Sequence, residues 1–116
     1  MKKSYRDRDL RGQDLSNRDL SFTDFTEATL WEADLEKSEL MGSNFSEANL
    51  WGANLKGADL RWAFLKGASL WGAKLEGANL MGANLMGANL KGAKYDDRTI
   101  LPISEGEAQQ RGMVKK

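Results

Sequence analysis

The sequence predicts an all-β solenoid, and three regularities predict it. Every fifth residue is apolar: Leu10, Leu15, Leu20, Phe25, Leu30, Leu35, Leu40, Phe45 and Leu50, then Leu at each fifth position to Leu90, and finally Tyr95. Two residues before most of these centres stands Ala, from Ala28 and Ala33 through Ala48 and on to Ala93, with Ser38 and Ser43 between. Two residues after the centre Gly recurs, at Gly12, Gly42, Gly52, Gly57, Gly67, Gly72, Gly77, Gly82, Gly87 and Gly92. A repeat of this kind decides the architecture before propensity is consulted.

Each element of the repeat has a physical reason. On an α-helix five residues turn the chain through about 500°, so leucines at that spacing would spiral and leave no apolar stripe. On a flat strand they would point alternately to the two faces. A chain that bends once per pentad puts every centre on the same side. Residues two apart on a short extended piece share a face, so the Ala and the centre both point inward and the other three positions point out. A type II turn needs positive φ at its third residue, which Gly adopts at least cost. Each pentad is therefore a short strand followed by a corner.

Units such as Ala53-Asn54-Leu55-Lys56-Gly57 and Ala78-Asn79-Leu80-Met81-Gly82 resemble the pentapeptide-repeat family, whose motif is A(D/N)LXX. The resemblance covers residues 8–95. It implies a right-handed quadrilateral parallel β-helix with one repeat per side and four per coil. It implies a scaffold and no activity. The stretch Tyr95 to Pro102, with Gly112-Met113-Val114 beyond, is similar to the tail of cyanobacterial members. Some members mimic duplex DNA and protect or inhibit type II topoisomerase, so an interaction with such an enzyme is the alternative function that the resemblance brings.

One domain is expected from 116 residues: a lead-in over 1–7, the β-helix over 8–95 and a C-terminal cap over 96–116. Cys and His are both absent. Disulfides, thiolate chemistry and the commonest general base and metal ligand go with them. The N-terminal residues carry no apolar h-region, so the expected location is the cytoplasm, with no membrane span. Lys and Arg balance Asp and Glu overall. An acidic band nevertheless runs through Asp24, Glu27, Glu32, Asp34, Glu36, Glu39 and Glu47, opposed there only by Lys37.

Four repeats per coil make residues twenty apart vertical neighbours at about 4.8 Å, giving about four and a half coils and a rod on the order of 22 Å long. Sorted this way, Trp31, Trp51 and Trp71 form one column, flanked by Arg11 and Lys91. A chance scatter of four Trp would seldom do this, so the register supports the four-per-coil geometry without the resemblance. The column predicts a stacked aromatic ladder between coils, and its outer edge makes Trp31, Trp51 and Trp71 candidate protein-binding residues. Glu36, Lys56 and Glu76 form an alternating-charge column, which supports the register and is no site. Trp62 and Phe64, both at outward positions, form a second candidate patch on another side, with Met41, Arg61 and Met81 nearby and Phe22 in the Trp62 column. Two apolar patches predict a protein partner or a homodimer.

A solenoid must close its open ends. Arg8, Gln13, Arg18 and Thr23 replace the inward Ala in the first coil, where long polar side chains could fold across the opening. At the other end Ser104 and Glu107 have the spacing of a capping box, predicting a helix over 105–111 that stops at Gly112. Ile100, Leu101, Ile103, Ala108 and Met113 are expected to cover the last coil.

No enzyme is expected. Acid–base chemistry needs a cleft that shifts pKa values, and a filled prism has none. The glycines mark corners and do not cradle phosphate. Asp9, Asp14, Asp19 and Asp24 lie on four walls and cannot converge on a metal, so neither metal nor cofactor is expected. Lys66, Lys74, Lys91 and Lys94 are scattered and form no basic stripe for nucleic acid.

Overall fold

In a computed structural model that describes residues 3–116, the chain winds as a parallel β-solenoid. Residues 1 and 2 of the expected lead-in lie outside the described residues. Single-residue parallel bridges join positions twenty apart without interruption, from Ser4 with Asp24 to Lys74 with Lys94. The unit of pairing is one residue per side because each pentad spends the rest of its length on a corner. Around Leu50 the wiring is typical. The Leu50 N–H donates up to the Ser69 carbonyl (2.7 Å), the Asn49 N–H down to Ala28 (2.9 Å), and the Gly52 N–H up to Trp71 (2.9 Å). The corner itself is closed by Ala53 N–H to Leu50 O at 3.0 Å, with Gly52 at φ 65° as its third residue.

The outward residue before each centre has a task that its apparent tolerance hides. The Oδ1 of Asn49, Asn54, Asn79, Asn84 and Asn89 accepts from the N–H two residues on, at 2.9–3.1 Å. Asp14, Asp24 and Asp34 do the same. This Asx bond ties the first corner residue to the preceding side. It gives the Asn or Asp of the motif a local physical cause.

Inside, every pentad centre from Leu10 to Tyr95 is buried, as is each Ala from Ala28 to Ala93. Tyr5, Phe25 and Phe45 stack through the core, with centroids 5.5 Å and 4.7 Å apart. Thr23, Ser38 and Ser43 are buried in Ala positions. The Ser38 and Ser43 hydroxyls donate to the carbonyls of Leu15 (2.5 Å) and Leu20 (2.7 Å) one coil below, so neither polar group is stranded.

Both ends differ in detail from expectation. The ladder enters the lead-in, because Ser4 pairs with Asp24 and Tyr5 stacks on Phe25. Arg8, Gln13 and Arg18 are exposed, and of the four only Thr23 is buried. Leu10, Leu15 and Leu20 are covered, at 5%, 4% and 2% exposure. At the other end β1 (Lys94–Tyr95) pairs in parallel with β2 (Val114–Lys115), a strand the sequence did not announce. Helix α1 (Glu105–Gln110) lies between them. Ser104 accepts from the Glu107 N–H at 3.1 Å, but the Glu107 carboxylate turns to Arg111 (3.3 Å) and completes no reciprocal bond.

Ala108 and Met113 are buried and Leu101 and Ile103 pack against the core, while Ile100 is 49% exposed. Ile100 pairs with Asn79 and so occupies the outward slot of its strand. The Arg111 guanidinium donates to the carbonyls of Leu85 (2.7 Å) and Ala88 (3.1 Å), supplying partners that a next coil would have supplied. The described chain measures 38 × 22 × 20 Å. It is longer than the expected rod because the ladder begins at Ser4 and the tail stacks a further turn on the last coil.

Candidate protein-binding surfaces

Trp31, Trp51 and Trp71 lie on one corner, each directly after a buried Leu, and the twenty-residue register stacks them. Trp51 and Trp71 are nearly parallel at 12°, with centroids 5.4 Å apart; Trp31 meets Trp51 edge-on at 67° and 5.9 Å. Contacts of this kind stabilise by about 0.5–1.5 kcal/mol per pair. The Arg11 guanidinium sits 5.9 Å over the Trp31 ring and forks onto Asp9 at 2.8 and 2.7 Å. The Arg11 hydrogen bonds hold the Asp9 carboxyl below its ordinary range and hold the Arg11 guanidinium above its own. A shallow cleft of about 240 Å³ lies between Trp31 and Trp51, floored by Asn49 and Ser69. The three indoles are only 38–41% exposed, because much of each ring is spent on its neighbours.

The second patch is built differently. Trp62 and Phe22 stand as third residues of their corners, at φ 61° and 58°, where Gly42 and Gly82 hold the same column in alternate coils. The repeat imposes this left-handed backbone on the third residue of each corner, and Asp7, Asn17, Glu27, Glu32, Lys37 and Glu47 adopt it as well. Each ring lies over the glycine of the next coil. A Cβ on Gly82 would meet the six-membered ring of Trp62, with Cδ2 at 2.7 Å, and a Cβ on Gly42 would meet Phe22, with Cδ1 at 2.6 Å. Phe64 takes the Asn or Asp slot beside them and forgoes the Asx bond to Lys66. These side chains are the most open aromatics described: Phe22 54%, Trp62 58% and Phe64 50% exposed. A cleft of about 200 Å³ joins Phe22 to Phe64 across Gly42 and Asn44, with Thr23 and Asp24 on its wall.

The two predicted patches therefore sit on different corners; Phe64 shares a cleft with Phe22, and Trp62 stands in the Phe22 column two coils on. Sequence reasoning noted Phe22 in the column but did not count it as a site residue. The alternation Phe22, Gly42, Trp62, Gly82 was the signal that could have done so. The charged column Glu36, Lys56, Glu76 lines a shallow pocket with Arg98, and no ion pair within 4 Å joins its three members among the described residues. Glu36 instead accepts from the Asn54 amide at 3.1 Å. Arg61 forks onto Asp59 at 2.9 and 2.7 Å, and this bond lowers the Asp59 pKa. Among the described residues no group of three or more metal-ligating side chains converges, and no helix is long and apolar enough to cross a membrane.

The surfaces so described lie on the outside of a β-solenoid whose interior is packed with Leu and Ala. A sequence profile for pentapeptide repeats matches residues 9–40, 38–72 and 63–94, in eight copies. The chain is similar to the solved structure of HetL, a pentapeptide repeat protein involved in heterocyst differentiation regulation in the cyanobacterium Nostoc sp. strain PCC 7120. Identity is 35% and the TM-score 0.60, over 78% of this chain and 46% of HetL. The chain thus spans less than half of that relative. A pentapeptide repeat protein of the Arabidopsis thaliana thylakoid lumen is 36% identical, with a TM-score of 0.56 over 88% of this chain and 72% of the relative. A second Nostoc PCC 7120 protein is 34% identical, with a TM-score of 0.50 over 99% and 86%. No curated protein sequence matches significantly. The chain belongs to the pentapeptide-repeat family, and its solenoid is a right-handed β-helix. The family is in general non-catalytic.

Proposed function

We propose that this protein is a non-catalytic binding scaffold that engages a protein partner through aromatic side chains carried on its corners, with Phe22, Trp62 and Phe64 as the principal contact. One observation carries this: Phe22, Trp62 and Phe64 are the most exposed aromatics described, at 50–58%, and Phe22 shares a cleft with Phe64. Trp31, Trp51 and Trp71 serve first as an intercoil ladder and offer a secondary edge.

The scaffold itself is a four-sided coil of about four and a half turns over 8–95. Residues 96–116, through α1 and Arg111, shield its upper end. A cytoplasmic location belongs to the same proposal. So does a homodimer through the aromatic corners as the second candidate partner, which light scattering distinguishes from a monomer. The DNA-mimic reading has less support, since net charge is zero and the Asp9 and Asp59 carboxylates are neutralised by adjacent guanidiniums. Gyrase supercoiling in the presence of purified protein tests it.

The deciding experiment compares captured partners for the wild type, the Trp62→Gly/Phe64→Asn variant and the Trp51→Ala/Trp71→Ala variant. Loss of partners with the first variant alone supports the proposal. An unchanged set with the first variant removes it.

A further inference from the structure

We infer that the upper edge over residues 83–90 is a docking site for an extended segment of a protein partner, added as a parallel strand with apolar residues at alternate positions. This rests on the binding-scaffold reading above and gives the scaffold a second surface. In the body of the solenoid each side hands its upward-facing backbone groups to the coil above. The side through Phe64 is typical. Leu65 N–H donates to Asn84 O at 2.9 Å, Gly67 N–H donates to Met86 O at 2.9 Å, and Ala63 O accepts from Asn84 N–H at 3.0 Å. One side further on, Leu70 N–H donates to Asn89 O at 2.7 Å.

The tail continues this wiring over only part of the last coil. Ile100 pairs with Asn79, Gly112 O accepts from Gly92 N–H at 2.8 Å, and Val114 pairs with Lys94. Residues 101–111, with α1, run between those points and make no bridge to the two sides they pass. The N–H groups of Leu85, Gly87 and Leu90 and the carbonyl of Ala83 therefore have no hydrogen-bond partner among the described residues. Arg111 binds at the corner between the two sides, through Leu85 O and Ala88 O, and leaves those groups untouched. An unpaired row of this kind is a template for a further strand.

The core records the same opening. Ala83, Leu85 and Ala88 are 7%, 5% and 8% exposed, whereas Ala63, Leu65 and Ala68 directly beneath them are at 0%. Where the tail does pair there is no such rise, since Ala78, Leu80 and Ala93 are also at 0%.

The open groups specify the occupant. One of its residues must give an N–H to Ala83 O and a carbonyl to Leu85 N–H, and the residue two further on must give a carbonyl to Gly87 N–H. Asn84 and Met86 serve the coil beneath with that spacing. A helix spends these groups on itself, so the backbone is extended. The neighbours of the first residue share the opposite face. They lie over Ala83 and Leu85 and are apolar. Outside, Met81 and Met86 are exposed at the two ends of the edge, and the Trp62 ring lies against Gly82. Thioether side chains adapt to varied apolar neighbours. Charge near the edge is mixed: Lys66 and Lys91 stand at corners, Arg61 and Arg111 are bound to Asp59 and Glu107, and the Glu47 side chain lies over Gly67. No sign is favoured, so backbone bonds give the affinity and the inward side chains the selectivity, as in strand addition generally.

The test uses 15N-labelled full chain and a synthetic peptide copying residues 63–72, whose place in the twenty-residue register matches the open edge. In the free protein the amides of Leu85, Gly87 and Leu90 are expected to exchange with solvent about a hundredfold faster than those of Leu65, Gly67 and Leu70. Equal protection would overturn the inference. The peptide is expected to shift the Leu85 and Gly87 amides saturably at sub-millimolar concentration, while the Leu50 and Leu55 amides stay within error. N-methylation of its second residue removes the donor to Ala83 O, and Lys in place of its third residue puts a charge over Leu85. Each change should weaken binding about tenfold or more. Unmoved amides, or equal binding of all three peptides, would contradict the strand site. So would a concentration-dependent shift of these amides with a dimer in light scattering before peptide is added, because the occupant would then be a second copy. If the peptide binds as expected while Trp62→Gly/Phe64→Asn keeps its captured partners, the edge stands and the aromatic corner falls. If the peptide fails while that variant loses partners, the edge alone falls.

Discussion

Replacing Leu60 by Ala removes three carbons from the middle of the rod, at a side chain only 1% exposed. The transfer loss alone is about 2.4 kcal/mol, at about 0.8 kcal/mol per buried carbon group. The remainder depends on whether the hole can close. Leu40 and Leu80, the vertical neighbours, are pinned by ladder bonds to Asp59 and Ile100, both at 2.8 Å, and Leu60 itself is held to Asn79 at 2.7 Å. Coils locked at a fixed spacing cannot settle into the space, so the cost falls at about 3–5 kcal/mol, the upper part of the range for such truncations. Lys56→Ala, on the outside and without an ion pair among the described residues, should cost about 0.5 kcal/mol or less. Urea unfolding measures both. With slopes of about 1–3 kcal/mol/M, Leu60→Ala should lower the midpoint by about 1 M or more at unchanged slope. Equal midpoint shifts for the two variants would refute the division into inward and outward positions.

Four further outcomes follow from particular contacts. Ser38→Ala should cost about 1–2 kcal/mol, because its hydroxyl links Leu15 O to Arg18 N–H; Ser43→Ala should cost less, since Thr23 N–H still reaches Leu20 O at 3.3 Å. Thermal unfolding of the two variants gives the order. Gly82→Ala puts a Cβ at φ 73° and into the Trp62 ring, so its cost should shrink by at least about 0.5 kcal/mol when Trp62→Gly is also present. A double-mutant cycle reads this coupling. Arg111→Ala should destabilise by about 1.5–3 kcal/mol by stranding the Leu85 and Ala88 carbonyls, and hydrogen exchange should rise first in the last coil. Asp9, Asp14 and Asp59 have folded pKa values depressed by hydrogen bonds from Arg11, Ser16 and Arg61. Their contribution is therefore complete above the ordinary carboxylate range and is lost as pH falls through the lower folded values, so stability should drop below about pH 4.

Much of the architecture was legible because one geometric constraint acts at every pentad. Leu at the centre, Ala two before it and Gly two after it each report burial or φ directly. The Trp column was legible for the same reason, since three identical large residues expose a twenty-residue period. The core stack of Tyr5, Phe25 and Phe45 obeys that period too, but reads as ordinary apolar centres when only the pentad is followed. The placing of Phe22 and Trp62 was harder to see. Their partners in the column are glycines, and only the coordinates show that each ring lies on the next glycine. The ends resisted most. Outside the repeat no periodicity remains, so nothing in Val114–Lys115 announces a strand, and Ile100 takes an outward slot because the tail re-enters the ladder one residue out of step.

The most direct test of the account uses the absence of Cys. Lys56→Cys with Glu76→Cys places two thiols twenty residues apart on one corner, with Cα atoms at about 4.8 Å, inside the range a disulfide accepts. Lys56→Cys with Arg61→Cys places them on adjacent corners, a full side apart. Mild oxidation should close the first pair within the monomer and leave the second reduced. Closure of the second pair in preference to the first would contradict the stacked coils, and with them every column on which the binding surface rests.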